Sequence, residues 1–348
     1  MRISFVMVGL KDLSTGGYLF NFKMADALSH AGHEVDVIHF STIPESIRGS
    51  RLKGSLYVLR RVLKYRPDLL VISKSYSFMV PLRMFLPFVS CPVLYLVHHL
   101  EWHDRKDRVS RLRRALIRWF IKAGNRVWVN SRSTADDVVS LGISRNRLSV
   151  IPPGFERFST VPEDRPLPVQ VLTVGSVCVR KNQLTLVKAC AMLQDLDFRL
   201  VIAGDESADA DYSKSVREQA AVMGDRVTFL GHVSAGELHD AYNRSHILAN
   251  LSVWEGYGIA VAEAMWAGLP VVAADAGAVP ELVTSGENGY LIPPGNAEIC
   301  ADRLKELIVN EDLRKQMSHR ARNTAEDLFS WRDTGREFVR LAQETAGC

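Results

Sequence analysis

The chain has no run approaching eighteen uncharged apolar residues, which leaves no candidate for a membrane-spanning helix. It begins on an apolar, strand-like stretch, Ile3 to Val8, so no secretory leader is expected. Cysteine is sparse: Cys91, Cys178, Cys190, Cys300 and Cys348 are odd in number and never closely paired. That argues against a disulfide framework or a zinc site and for a reducing cytoplasm. A complete Gly-x-Gly-x-x-Gly is also missing, which argues against a nicotinamide dinucleotide site. No segment resembles a nucleic-acid-binding module, although cations are in excess.

What remains is ordinary soluble-protein material. With 348 residues, 47% hydrophobic and 24% charged, the chain can build two full cores. Its charge is lopsided. Residues 1–150 hold 24 Lys and Arg against 11 Asp and Glu, so the first part faces an anionic partner. Short apolar runs alternate with helical stretches at Ile3–Val8, Val35–Phe40, Leu69–Ser73, Val93–Val97, Arg126–Asn130 and Leu148–Ile151. Strand–helix alternation predicts a parallel, doubly wound α/β sheet, with ligands beyond the strand C-termini. Ile151-Pro-Pro-Gly154, followed by Pro162, Pro166 and Pro168, reads as an interdomain linker. We expect a first domain over 1–160, a second over 161–330 and a final helix over 331–348. The second domain repeats the pattern at Val169–Val174, Phe198–Ala203, Val227–Leu230, Ile247–Leu251 and Val271–Ala274.

The most informative stretch is Trp254 to Asp275. Gly256 and Gly258 break the strand before it, Ile259–Ala267 are good helix formers, and Gly268-Leu269-Pro270 stops the helix. A glycine turn entering a helix presents free amides and the positive end of the helix dipole, which favours a phosphate. Glu255 and Glu263 bracket that site with seven residues between them. Carboxylates there would repel a bare phosphate but suit hydroxyls on either side of it. The layout fits a nucleotide-sugar: hexose at Glu255, diphosphate over the Gly258, Ile259 and Ala260 amides, ribose at Glu263. Gly256 and Tyr257 belong to the same turn.

Other strand ends add candidates. Gly175 and Ser176 open a loop that closes on Arg180 and Lys181, cations able to neutralise a departing diphosphate in place of a metal. Gly204, and His232 with Val233, end two more strands where backbone groups can hold a nucleobase. Gly16 and Gly17 precede a helix near the first strand and allow close approach to an anion. His98, His99 and His103 with Glu101 raise a metal site, but adjacent histidines on a strand point to opposite faces. Ser131 and Arg132 follow another strand, and a helix cap alone explains the serine. Two basic amphipathic segments complete the first domain. Arg48–Arg66 has seven cations and no acid among Leu52, Leu56, Leu59 and Leu63. Arg105–Lys122 has eight cations and one acid, Asp107, around Leu112, Leu116, Trp119 and Phe120. Either the apolar stripes pack on the sheet, or these faces meet an anionic membrane.

Glu-Gly-Tyr-Gly-Ile-Ala-Val-Ala-Glu-Ala from Glu255, followed by Gly-Leu-Pro-Val-Val, resembles the Glu-x7-Glu signature of the family-4 retaining glycosyltransferases of GT-B fold. Gly16-Gly17 with Ala31-Gly-His33 and Ile151-Pro-Pro-Gly154 are similar to the same family. The resemblance implies two Rossmann-like domains facing across a cleft, and a last helix that returns to the first domain. It implies transfer of a hexose from a nucleoside diphosphate sugar, with retention and without a metal. The cationic segments point to a glycan or lipid-linked acceptor, in cell-envelope polysaccharide or glycolipid synthesis. The resemblance also implies that His98 meets the donor sugar and Gly16-Gly17 the donor phosphates. Three positions depart from the pattern. His99 stands where an acid is common, Ser176 replaces an arginine, and Asn182 replaces a glycine beside the matching Lys181. Arg180 is read as the substitute charge. Two rivals stay open: a catalytically silent GT-B partner subunit, and a nucleotide-sugar epimerase, for which a basic first domain would have no use. A cytoplasmic protein, peripheral on the inner membrane face, is the expected setting.

Overall fold

The computed structural model describes residues 1–7, 16–39, 43–44, 46, 50–73, 89–100, 111–158 and 165–347. The chain forms two compact units, Met1–Gly154 with Phe329–Cys348, and Phe155–Leu328.

In the first unit, six parallel strands carry the apolar runs: β1 (Arg2–Met7), β2 (Glu34–His39), β3 (Leu69–Ser73), β4 (Val93–Val97), β5 (Arg126–Val129) and β6 (Leu148–Val150). Their spatial order is β2-β1-β3-β4-β5-β6. Alternate side chains point to opposite faces, so each strand feeds two cores. Ile3, Phe5, Leu69, Val71, Leu94 and Trp128 meet α1 (Gly16–His30) and the final helix α11 (Trp331–Ala346). Val6, Leu70, Ile72, Tyr95, Val127 and Val129 meet α2 (Arg51–Tyr65), α3 (Arg111–Ile121) and α4 (Arg132–Ser140). The tail joins this unit through Phe338, Leu341 and Ala342. Gly154 lies so close to it that a β-carbon there would stand 2.2 Å from the Trp331 nitrogen.

The second unit repeats the design with β7 (Val169–Val174), β8 (Phe198–Ala203), β9 (Val227–Gly231), β10 (Ile247–Asn250), β11 (Val271–Ala274) and β12 (Gly289–Ile292). These too are parallel, in the order β12-β11-β10-β7-β8-β9. That is the doubly wound order of a Rossmann fold, with its switch point between β7 and β10. The helices are α5 (Gln183–Ala191), α6 (Ala210–Ala220), α7 (Ala235–Arg244), α8 (Ile259–Trp266), α9 (Ala297–Val309) and α10 (Glu311–Glu326). Val171, Ile247, Ala249 and Val272 face α5, α6 and α9; Leu172, Leu248, Val271 and Ala273 face α7 and α8.

Three expectations need correction. The units divide after Gly154 and again before Phe329, not at 160/161 and 330/331, because Phe155 and Phe158 are buried in the second core. The strand β12 was not foreseen. It opens on Gly289, whose missing side chain lets it pair with β11: a β-carbon there would lie 2.1 Å from the Val271 oxygen. The leucine stripe of α2 does not stay on one side. Leu59 is buried beside Val58 and Val62, while Leu52 (54% exposed) and Leu63 (42%) face outward with Lys53, Arg60 and Lys64. α3 behaves alike, burying Ile117, Phe120 and Ile121 while Leu112 (71%) and Trp119 (40%) stand exposed near Arg118 and Lys122. Arg48 and residues 105–108 lie outside the described residues. Among the described residues, no helix is long and apolar enough to cross a membrane.

Candidate active site

The switch point between β7 and β10 brings two loops together, one after Val174 and one after Asn250. Lys181 comes from the first and Glu255 from the second, and Lys181 Nζ donates to Glu255 Oε1 at 2.5 Å. Ser252 Oγ donates to the same oxygen at 2.7 Å. Arg180 Nη1 stands 3.8 Å from Glu255 Oε2. The loops are also tied by their backbones, with Val253 N–H donating to the Arg180 carbonyl at 2.9 Å. Glu255 is 7% exposed. Burial alone would raise its pKa, but the charges of Lys181 and Arg180 and the bonds from Lys181 and Ser252 hold it down to about 2.

Glycines make this closeness possible. Gly175, at φ 132°, leaves a channel for Lys181; a β-carbon there would sit 2.8 Å from Lys181 Cε. Gly277, at φ 61°, backs against Glu255, where a β-carbon would stand 2.1 Å from the Glu255 carbonyl oxygen. That oxygen accepts the Ala278 N–H at 2.9 Å. Asn182 caps α5 in the left-handed region, φ 55° and ψ 38°. Asparagine is among the few residues besides glycine that hold this conformation readily, which explains how it replaces the family's glycine.

Three residues beyond Glu255, Gly258 starts α8 at φ 104° with no side-chain cap. The first amides, at Ile259 and Ala260, therefore stand at the positive end of the helix without a capping oxygen. Tyr257 is buried beneath this turn, and burial with nearby Glu281 pushes its phenol up beyond the ordinary range. Glu263, one turn along α8, is half-buried and accepts from the hydroxyl of Tyr242 at 3.0 Å. Gly204 N–H donates to the Gly231 carbonyl at 2.8 Å, which aligns the ends of β8 and β9. His232 is exposed just past β9, near Asp205 and Glu237, and Val233 packs partly into the α7–α8 core.

Gly16, Gly17 and His98 belong to the first unit. His98, just past β4, has Nε2 3.1 Å from Asn21 Oδ1, with the rings of Phe20 and Trp128 edge-on at 5.3 and 5.0 Å. Gly17 lies under it: a β-carbon there would be 3.7 Å from the imidazole. Ser131 caps α4, accepting from Thr134 N–H at 3.0 Å. Glu101 and His103 lie outside the described residues, and among those described no three metal-ligating side chains gather. Sequence reasoning missed Ser252, Tyr242 and Asn21.

Two family models match the chain, Glycosyltransferase Family 4 over residues 20–157 and Glycosyl transferases group 1 over residues 157–324. The chain belongs to the family-4 GT-B glycosyltransferases. Among curated relatives, sulfoquinovosyl transferase SQD2 of Arabidopsis thaliana is 26% identical over 347 residues, covering 88% of this chain and 66% of that protein. The chain spans about two thirds or less of the length of the curated relatives first matched. Solved structures share the fold. Sucrose-phosphate synthase from Thermosynechococcus elongatus gives a TM-score of 0.82 at 20% identity, over 99% of this chain and 98% of that one. Anabaena HepE in complex with UDP and glucose gives 0.80 at 21% identity, over 98% and 99%.

Proposed function

We propose that the chain transfers a hexose from a nucleoside diphosphate sugar to a glycan or lipid-linked acceptor, with retention of anomeric configuration. The observation that carries this is the Lys181–Glu255 pair, 2.5 Å apart and three residues ahead of the uncapped start of α8. Lys181, Arg180 and the amides of Ile259 and Ala260 receive the charge that grows on the departing diphosphate, the role a metal fills in other transferases. Glu255 and Lys181 satisfy each other. An arriving diphosphate competes for the ammonium and releases a carboxylate oxygen to a sugar hydroxyl.

The remaining positions follow the sheet. Glu263 takes the ribose, and Gly204, His232 and Val233 take the base at the β8–β9 end, three strand spacings or about 14 Å from β10. Gly175 and Ser176 line the loop between. The HepE complex supports a UDP-hexose as the first donor to try. The exposed Leu52, Leu63, Leu112 and Trp119, among cations on helices covering one face of the first sheet, support an anionic bilayer as the place where the acceptor is met. We infer a setting on the inner membrane face, and liposome flotation without preference for anionic vesicles would remove this part of the proposal.

Donor turnover is the test. Wild-type protein is expected to consume a nucleoside diphosphate hexose, and Glu255→Ala and Lys181→Ala to lose at least a hundredfold in rate. Wild type that binds the nucleotide but never turns over the sugar would instead identify a silent partner subunit.

A further inference from the structure

Helices α7 and α8 carry a buried polar contact between Tyr242 and Glu263. The Tyr242 hydroxyl has Glu263 Oε2 at 3.0 Å and the Ala260 carbonyl oxygen at 3.3 Å. One hydroxyl carries one proton, so it serves one acceptor at a time, and an ionised carboxylate is the stronger. The Tyr242 side chain is fully buried, its ring stacked 5.9 Å from that of Phe158. Burial, together with Glu263, pushes its phenol well above the ordinary range, so it remains a donor at any working pH. Glu263 is only half-buried, so its carboxylate is held without being sealed from the site.

Packing alone does not explain the pair. An apolar side chain at 263 would fill the same space without the desolvation a carboxylate suffers there. The two titratable groups facing Glu263 are Tyr242 from α7 and Glu156 from the segment after the unit junction. Burial raises the Glu263 pKa to about 7; the Tyr242 bond opposes the rise, the Glu156 charge adds to it and the Glu156 backbone N–H opposes it again. A carboxylate this close to neutrality loses its acceptor role unless a neighbour keeps it ionised and aimed.

We propose that Tyr242 is a positioning residue that fixes the acceptor edge of Glu263 and thereby sets discrimination between ribo- and deoxyribonucleotides. This rests on the nucleotide reading above. Calorimetric titration of the full chain with UDP, GDP and ADP identifies the tightest ligand. The 2′-deoxy and 3′-deoxy forms of that ligand are then compared on wild type and Tyr242→Phe between pH 6 and 8.5. Phenylalanine keeps the ring in the core, and a wild-type circular dichroism spectrum with a single cooperative thermal transition will show it. The variant is expected to bind the ribonucleotide about tenfold more weakly while deoxy binding holds, as the loss of a bond to a charged acceptor requires. The rise of affinity with pH should also move to higher pH, because Glu263 has lost a donor that favours its ionised form. An unaltered ribo-to-deoxy ratio with an unaltered pH profile would leave Tyr242 a packing residue and overturn the inference alone. Wild type that binds no nucleoside diphosphate would overturn the functional proposal as well.

Discussion

Replacing Lys181 by methionine removes the ammonium but keeps much of the side chain's length. Glu255 is then left 7% exposed, with the Ser252 hydroxyl and with Arg180 at 3.8 Å. In the intact protein the carboxyl is held at about 2 instead of 4.5, which corresponds to about 3 kcal/mol of stability at pH 7. The folded pKa lies below the unfolded one. The stabilisation is therefore fully present above pH 4.5 and is lost as pH falls toward 2. Because Arg180 and Ser252 retain part of it, Lys181→Met should be less stable by about 2 kcal/mol at pH 7. The gap should shrink by about 0.4 kcal/mol at pH 3.5, because the variant's carboxyl, held down less strongly, takes up the proton before that of wild type does. Urea unfolding at both pH values, followed by tryptophan fluorescence, measures this. A gap that is absent at pH 7, or that persists unchanged at pH 3.5, would refute the charge pairing.

Substitutions at three further positions probe the same architecture. Gly277→Ala forces a β-carbon to within 2.1 Å of the Glu255 carbonyl oxygen at a positive φ; we expect a loss of about 3 kcal/mol or more in urea unfolding, and a wild-type midpoint would contradict the packing. Ser252→Ala deletes a 2.7 Å bond to a buried carboxylate and should lower stability by about 2 kcal/mol while leaving the circular dichroism spectrum unchanged. Asn182→Val puts a β-branched residue at φ 55° and should cost about 1–2 kcal/mol in thermal unfolding, whereas Asn182→Gly should be neutral within about 0.5 kcal/mol. Equal effects of the two replacements would show that the left-handed turn is not what position 182 requires.

Much of this was legible because buried parallel strands leave continuous apolar runs. Leu69–Ser73, Val93–Val97, Val169–Val174, Phe198–Ala203 and Val271–Ala274 begin and end where the sequence places them. β12 escaped notice because four residues starting on glycine give no run to read. Periodicity also could not say which side of α2 faces inward, so leucines read as one stripe turn out to be divided between core and solvent. Glu255 and Lys181 stand out in the sequence because a strand–turn–helix and a cationic loop each have a local pattern, and the fold brings the two together across 74 residues. Tyr242, Ser252 and Asn21 had no such pattern. Tyr242 and Asn21 act through partners that only the fold supplies, 21 residues away at Glu263 and 77 away at His98, while Ser252 reaches Glu255 within one loop whose shape no periodicity gives.

The most direct test is a crystal structure of the protein with UDP. The account predicts the diphosphate within hydrogen-bond distance of the Ile259 and Ala260 amides and of Lys181 Nζ, with the ribose against Glu263. A diphosphate seated elsewhere, with the Lys181–Glu255 pair and the start of α8 untouched, would contradict it.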